Sequence, residues 1–284
     1  MREKFLSILV AICLCLGLSS CDRELENDYS LGTAGELEGR TLVVSVFVDD
    51  YNYSWNPHSE TDLNSIENIN SYLGIACGYL TDVASTYGKE ADFIYDFTEN
   101  EDLKYFTSFN CDTTESDAMY AETNMQAYID EKIDTEGLQK KYKAENVIYF
   151  MFVNTDENST GITCTRNYYD GIPYPYEIVF AYNVDCGVVN CPAVYAHEML
   201  HAFGAPDLYY EDEEYGITSD FLAYVEEYMP NDIMYYCSDI STGDYVYDTI
   251  TNDFSELDAY YVGLTDSCDL VEDYGLGNSQ HFCL

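Results

Sequence analysis

Apolar positions recur with two different periods along the first part of the chain. The near-continuous apolar runs over 41–48 and 147–153 predict two buried strands. Between them, apolar residues recur at helical spacing from Ser59 to Gly88, and Ser59 with Asp62 can form a capping box at the start of this helix. A strand followed by a long helix and a second buried strand is typical of an α/β fold.

Weaker patterns complete the predicted secondary structure. Apolar runs at 92–97 and 177–182 predict two further strands. A helical pattern covers 115–142, and we expect an interruption near Gly137. The second half of the chain is irregular and rich in tyrosine, so we expect a smaller irregular part after the sheet.

The first 20 residues have the pattern of an export signal. Arg2 and Lys4 precede an apolar run that ends at Leu18 and is too short to span a bilayer permanently. The end of this run, Leu18-Ser19-Ser20-Cys21, resembles the lipobox of bacterial lipoproteins. This resemblance implies that Cys21 is lipidated and becomes the new N-terminus. The alternative is an ordinary signal peptide with a chance cysteine near its cleavage site.

The segment that follows predicts how the protein is attached. Residues 21–39 are polar and acidic and have no apolar period, which indicates a flexible tether. Two or more acyl chains on Cys21 would give a stable membrane anchor. We therefore expect an exported envelope or cell-surface lipoprotein whose folded domain covers 40–284.

The charge of the chain limits its partners. There are 53 acidic residues against 11 basic ones, and no Lys or Arg follows Arg166. Such a surface repels nucleic acid and anionic lipid headgroups, so neutral or basic partners are favoured. The alternative is an acidic shell that only keeps an exported protein in solution.

Cysteine usage adds one expectation about the covalent structure. An even number of cysteines remains outside the signal and Cys21, which suggests disulfide bonds in an exported chain, although spacing cannot assign the pairs. Cys186 and Cys191 flank the start of the helix described next and are a candidate staple. No CxxC pair occurs, which argues against a cysteine zinc knuckle. The eight are Cys77, Cys111, Cys164, Cys186, Cys191, Cys237, Cys268 and Cys283.

The chemistry of the chain is concentrated in the segment His197-Glu198-Met199-Leu200-His201. We expect a helix here, capped by Asn190, with Pro192 in its first turn. Histidines four residues apart lie on one helix face and can bind one Zn²⁺. Glu198 can then act as general base toward a zinc-activated water and as general acid toward the leaving amine. The alternative is a helix with two hydrogen-bonded structural histidines.

The residues after this helix offer a third ligand. Gly204 can adopt the left-handed conformation that reverses the chain, and Pro206 biases Ala205 toward an extended conformation. Asp207 is thereby expected beside the two imidazoles. Three protein ligands with an open fourth position are the pattern of a catalytic zinc site.

The full string HExxHxxGxxD from His197 to Asp207 resembles the metzincin metallopeptidases, in the version with Asp as third ligand found in snapalysin-like enzymes. Residues 204–209 also resemble the immune inhibitor A-like secreted peptidases. Asp232-Ile233-Met234-Tyr235-Tyr236 resembles the metzincin Met-turn. This resemblance implies that Met234 forms a hydrophobic base under the zinc and that Tyr236 hydrogen-bonds the metal or the tetrahedral intermediate. Residues 255–263, with Ser255 and Asp258 as a capping box, fit the family's C-terminal helix.

The resemblance covers roughly 177–264. It implies a metzincin-like zincin domain with a twisted mixed sheet, an active-site helix and a smaller irregular C-terminal subdomain. It also implies a monomeric zinc endopeptidase with a protein or peptide substrate, in which 177–182 is an edge strand that pairs with extended substrate. The helical insertion at 115–142 has no explanation from the family.

Two alternatives keep the same fold. One is a surface-binding lipoprotein on a catalytically silent peptidase-like fold, against which the intact Glu198 argues. The other is hydrolysis of a cell-wall amide instead of a protein. His58 and His281 are expected to be surface histidines, and the acidic loop 211–214 is either a structural Ca²⁺ site or a solvated loop.

Overall fold

Eight strands and seven helices lie in the part of the chain that the structure, a computed structural model, describes: residues 34–114, 118–169, 172–185 and 187–281. The strands are β1 Gly39–Asp49, β2 Ala91–Ile94, β3 Lys104–Ser108, β4 Asn146–Val153, β5 Cys164–Tyr169, β6 Ile172–Tyr182, β7 Val184–Asp185 and β8 Val188–Val189. The helices are α1 Glu60–Thr86, α2 Ala118–Lys132, α3 Thr135–Tyr142, α4 Pro192–Ala202, α5 Ser219–Tyr228, α6 Glu256–Tyr261 and α7 Asp269–Tyr274.

The predicted export signal and Cys21 lie outside the described residues, so both stay predictions. No helix in the described ranges is both long enough and apolar enough to cross a membrane.

The main sheet is mixed and has the strand order β2-β1-β4-β6-β5, with β3 pairing with β1 beyond the end of β2. Strands β2, β1, β3, β4 and β6 are parallel along their pairings, whereas β5 runs antiparallel to β6. The central strands β1 and β4 are almost entirely buried, as expected for parallel strands covered on both faces. The predicted α/β class with a mixed sheet is confirmed.

The prediction that 177–182 is an edge strand is wrong. This segment belongs to β6, which pairs with β4 on one side and with β5 on the other. The edge strand on this side of the sheet is β5, which the apolar pattern did not predict. Its sequence begins Cys-Thr-Arg-Asn and lacks the apolar run of a buried strand, because an edge strand can tolerate polar residues.

Helix α1 matches the helix predicted from Ser59 to Gly88. The Ser59 hydroxyl accepts the Asp62 backbone N–H at 3.4 Å, but the Asp62 carboxylate accepts from the Asn56 N–H at 2.7 Å, so the predicted reciprocal box is not formed. The buried face of the helix follows the predicted helical spacing and includes Ile69 and Leu73. Helix α1 packs against α4, the helix that carries the histidines.

The insertion at 115–142 forms two helices, α2 and α3, and the break lies at 133–134 instead of near Gly137. The reason is local: the Asp134 side chain caps α3 by accepting the Gly137 N–H at 3.0 Å, so Gly137 belongs to the first turn. Helix α2 packs against β5, where Glu122 forms a 3.2 Å ion pair with Arg166. The insertion therefore borders the edge strand.

The expected disulfide bonds do not form among the described cysteines. Among the residues that the structure describes, six cysteines form no disulfide bond with one another. Cys186 and Cys283 lie outside the described residues, so the staple between Cys186 and Cys191 stays a prediction. Burial raises the pKa of the Cys164 thiol to about 12, which keeps this cleft-lining cysteine protonated at neutral pH.

Candidate metal centre

Helix α4 begins at Pro192, which occupies the first turn as predicted, but its N-cap is Cys191 and not Asn190. The Asn190 amide instead donates to the Thr163 hydroxyl at 2.6 Å and to the Tyr182 carbonyl at 2.7 Å. The polar side chain is therefore used to fasten the start of α4 to the end of β6. This contact fixes the helix relative to the sheet before the first histidine is reached.

The two histidines of α4 point their Nε2 atoms toward each other and their Nδ1 atoms toward backbone carbonyls. The Nδ1–H of His197 donates to the Ile233 carbonyl at 2.9 Å, and that of His201 donates to the Ala205 carbonyl at 2.7 Å. These bonds set the tautomer of each neutral ring, so both Nε2 atoms carry lone pairs. The two Nε2 atoms lie 3.2 Å apart.

Gly204 reverses the chain at the end of α4, as predicted. Its φ of +104° lies in the region that glycine tolerates best, and a Cβ there would lie 2.8 Å from Gln280 Nε2 and 3.3 Å from the Tyr261 carbonyl oxygen. The chain then returns beneath the helix end, and the Leu208 N–H donates to the Met234 carbonyl at 2.9 Å. Asp207 is held directly before this contact.

Three acceptor atoms consequently converge. Asp207 Oδ1 lies 3.1 Å from His197 Nε2 and 3.2 Å from His201 Nε2, which completes a nearly equilateral triangle. Ligands at about 2.0–2.1 Å around a tetrahedral zinc ion lie about 3.3 Å apart, so the triangle has the size of a zinc site. Asp207 Oδ1 is buried and has no hydrogen-bond partner when both rings are neutral, as expected for an atom that binds a cation.

The electrostatics of the centre favour positive charge. Burial acts to lower the pKa of His201, but the Asp207 carboxylate outweighs it and raises that pKa above its ordinary value. At His197 burial is likewise outweighed, here by Cys237 and Asp207. Burial acts to raise the pKa of Asp207, yet the two imidazoles hold it well below its usual range. Protons and a metal ion therefore compete for the same three atoms.

Glu198 lies beside the triangle and is almost fully buried, with 5% of its surface exposed. Its side chain contacts Thr165 of the edge strand: Thr165 Oγ1 lies 2.8 Å from Glu198 Oε2 and 2.8 Å from the Glu198 carbonyl oxygen. Sequence reasoning missed Thr165, because its strand was not predicted and a threonine in a polar stretch carries no signal of its own.

The segment 232–236, which resembles a Met-turn, contacts the centre through His197. Met234 is fully buried, and the Ile233 carbonyl before it orients His197. The Asp232 carboxylate accepts the Met234 N–H at 2.8 Å, and the Asp232 carbonyl accepts the N–H groups of both following tyrosines, which closes the turn. These contacts explain why an aspartate precedes the methionine by two residues.

Phenol groups near the centre come from an unexpected place. Tyr236 is 39% exposed and does not line the cleft, whereas Tyr209 and Tyr210 do. The Tyr209 ring stacks on His197 with centroids 6.3 Å apart. Burial, followed by the nearby Asp207 carboxylate, raises the pKa of Tyr210 to about 12, and the same causes raise that of Tyr209. Both phenol groups therefore lie close to the Asp207 carboxylate.

The centre opens into a cleft of about 480 Å³ between the edge strand and the loop after α4. The strand side is lined by 162–166, and Arg166 is its only basic residue. The opposite side is formed by residues of 205–215, including the two tyrosines. The cleft therefore follows the one side of β5 that faces α4.

The two remaining histidines and the acidic loop lie away from this centre. His58 is exposed near the start of α1, and His281 Nε2 donates to the Phe203 carbonyl at 2.7 Å, where it caps the end of α4. In the acidic loop, Asp212 accepts the N–H groups of Glu214 and Tyr215. Among the described residues, the one group of three His, Cys, Asp or Glu side chains with converging ligand atoms is His197, His201 and Asp207.

Comparisons of the sequence with protein families and with curated proteins identify no relative. No protein-family model matches the sequence, and no curated protein matches it at a significant level. The likeness to metzincins is therefore one of motif, and support for a function comes from the motif together with the geometry of these side chains.

Proposed function

We propose that this chain is a zinc-dependent endopeptidase of the metzincin type. His197, His201 and Asp207 hold the ion, and Glu198 moves the proton during hydrolysis of a peptide bond. The observation that carries the proposal is the convergence of three acceptor atoms at 3.1–3.2 Å, because lone pairs so close together repel one another unless a cation or a proton lies between them.

A proton alone does not account for the arrangement as well as a metal does. One proton satisfies one pair of acceptors and leaves the third atom without a partner, whereas a zinc ion at the centre binds all three. The Nδ1–H group of each ring already donates to a backbone carbonyl, which is the usual outer contact of a metal-binding histidine.

When bound, zinc supplies Lewis acidity, which makes water a nucleophile near neutral pH and polarises a carbonyl group. Glu198 is the neighbouring base: its carboxylate takes the proton of the attacking water and later delivers it to the amine that leaves. This side chain is largely buried but lines the cleft, where water and substrate can reach it. The resemblance assigns the hydrogen bond to the tetrahedral intermediate to Tyr236, and turnover by Tyr236→Phe measures that role.

The substrate is proposed to be an extended peptide bound along β5. This strand pairs with β6 on one side and lines the cleft on the other, so an extended chain can add to it by backbone hydrogen bonds. Strand addition binds the substrate through its backbone and needs no free chain end, so it suits cleavage within a chain. Export and anchoring through Cys21 are proposed from the lipobox alone.

Digestion of a peptide library by the purified chain tests the proposal. We expect cleavage that a zinc chelator abolishes and added zinc restores. Glu198→Gln keeps the shape of the side chain and all three ligands, so we expect full zinc content and a loss of roughly 10²–10⁴-fold in turnover. Zinc binding without cleavage in the parent chain would favour the silent, ligand-binding alternative, and cleavage by Glu198→Gln at the parent rate would rule out this mechanism.

A further inference from the structure

The Thr165 hydroxyl contacts two oxygen atoms of the proposed general base. The hydroxyl oxygen is 2.8 Å from the side-chain Oε2 of Glu198 and 2.8 Å from the main-chain oxygen of the same residue. Both are acceptors when Glu198 is ionised, and a threonine hydroxyl has one proton to donate. The two contacts therefore cannot both be full hydrogen bonds donated by Thr165 at the same time.

One hydroxyl therefore contacts two atoms of the same residue. Whichever of the two oxygens accepts its proton, Thr165 Oγ1 stays 2.8 Å from Oε2 of the side chain and 2.8 Å from the main-chain oxygen. The carboxyl group is thereby fixed relative to its own helix and to β5, and the other carboxyl oxygen is left for the proton transfer.

The strand makes this hydroxyl a fixed point. Thr165 pairs with Val179 of β6 in the antiparallel ladder, which anchors its backbone to the sheet. Its β-branched side chain has few χ1 rotamers, so the hydroxyl is held with little freedom. Glu198 is thus held by the edge strand as well as by its own helix.

We propose that Thr165 is a positioning residue that keeps the Glu198 carboxyl group aimed at the metal centre. The inference rests on the proposed function. No bond forms or breaks at Thr165: in the proposed reaction the proton of the water passes to Glu198 and from Glu198 to the leaving amine, and the Thr165 hydroxyl takes no part in the transfer.

Two substitutions in the zinc-loaded full chain separate the hydroxyl from the shape of the side chain. Thr165→Val removes the hydroxyl and keeps the β-branched volume, and Thr165→Ser keeps the hydroxyl. We expect Thr165→Val to lower kcat by about 10- to 100-fold, the range for a lost hydrogen bond to a charged group. KM and zinc content are expected to stay close to the parent values, because no ligand is touched. Thr165→Ser is expected to stay within about threefold of the parent.

Thr107→Val on β3, at the opposite side of the sheet, is the matched control and should leave kcat unchanged. A Thr165→Val chain that keeps the parent kcat would overturn the inference. So would a Thr165→Ser chain that loses as much turnover as Thr165→Val, because the loss would then follow the methyl group.

A second measurement does not depend on activity. Crystal structures of the parent and of Thr165→Val, each with and without zinc, show where the Glu198 carboxyl group lies. We expect one position in the parent and a displaced or multiple position in the variant. An unchanged Glu198 in Thr165→Val contradicts the inference. If the parent chain cleaves no peptide, the proposed function fails, and this structural comparison still decides the role of Thr165.

Discussion

The sheet half of the molecule and the half that follows β6 are stabilised in different ways. In β1 and β4 nearly every residue is buried and most are apolar, so packing alone accounts for their order. After β6 the helices are short, and the buried residues include four ionisable side chains, His197, Glu198, Asp232 and Asp258. Buried polar groups stabilise a fold only when each finds a partner. The second half therefore depends on its hydrogen bonds, and by our proposal on a metal, in a way that β1 and β4 do not.

Of the substitutions that test this difference between the two halves, loss of the third ligand is expected to have the largest effect, on both zinc binding and turnover. Asp207→Ala leaves two imidazoles, too few to hold zinc firmly in a catalytic site, so we expect loss of most bound zinc and of nearly all turnover. Asp207→His is expected to restore zinc binding with partial activity, because imidazole is also a zinc ligand but differs in reach. Zinc content after dialysis and turnover of one peptide measure both effects.

Glu213→Ala is the control for this experiment, because it removes an exposed carboxylate from the same region of chain. It should keep zinc and activity. Full zinc and activity in Asp207→Ala would show that Asp207 is not a ligand.

Replacing one glycine by alanine in each half tests whether the stability of the two halves responds differently to the same substitution. Gly204→Ala places a Cβ at φ +104° and 2.8 Å from Gln280, so we expect the free energy of unfolding to fall by about 1–3 kcal/mol. Gly78 is exposed on α1 with no atom near a Cβ, so Gly78→Ala should raise it by about 0.5–1 kcal/mol. Urea denaturation of both variants checks the opposite signs. Equal effects would mean that the reversal after α4 does not need glycine.

The smallest expected effect is the pH dependence of the metal-free chain. The folded-state pKa of His201 is raised by Asp207, so the ion pair contributes stability that is fully present below about pH 6.5 and is lost as pH rises through the folded-state pKa. The melting temperature without zinc should fall from pH 6 to pH 9, and bound zinc should reduce this fall because the rings are then already deprotonated. Asp207→Asn removes the ion pair and is the control; an unchanged slope in that variant would show that other groups cause the fall.

The buried parts of the fold were predictable from the sequence, and the edge strand β5 was not. Strands β1 and β4 and helix α1 have strong apolar patterns because one or both of their faces are buried. Strand β5 pairs on one side only and carries polar residues, so it has no such pattern. The break between α2 and α3 lies earlier in the chain than predicted. The apolar spacing continues past it, but the Asp134 side chain caps α3 and so starts a new helix there.

In the site, the motif predicted which side chains converge, but not the groups that hold them. The offset from His197 to Asp207 and the glycine at 204 are local features, and both can be read from the chain. The contact between Thr165 and Glu198 joins residues 33 positions apart, and the Ile233 carbonyl that orients His197 is 36 positions from it. Contacts of this kind depend on the topology of the sheet. The cap of α4 was misassigned for the same reason, since Asn190 bonds across to Tyr182.

X-ray absorption at the zinc K-edge of the purified, zinc-loaded chain tests the central claim most directly. We expect one zinc per chain with two imidazole nitrogens and carboxylate or water oxygen at about 2.0–2.2 Å. Asp207→Ala and a His197→Ala, His201→Ala double variant should each lose this signal. A chain that binds no zinc, or a zinc with sulfur at about 2.3 Å, would contradict the claim, and sulfur would point to Cys237 beside His197.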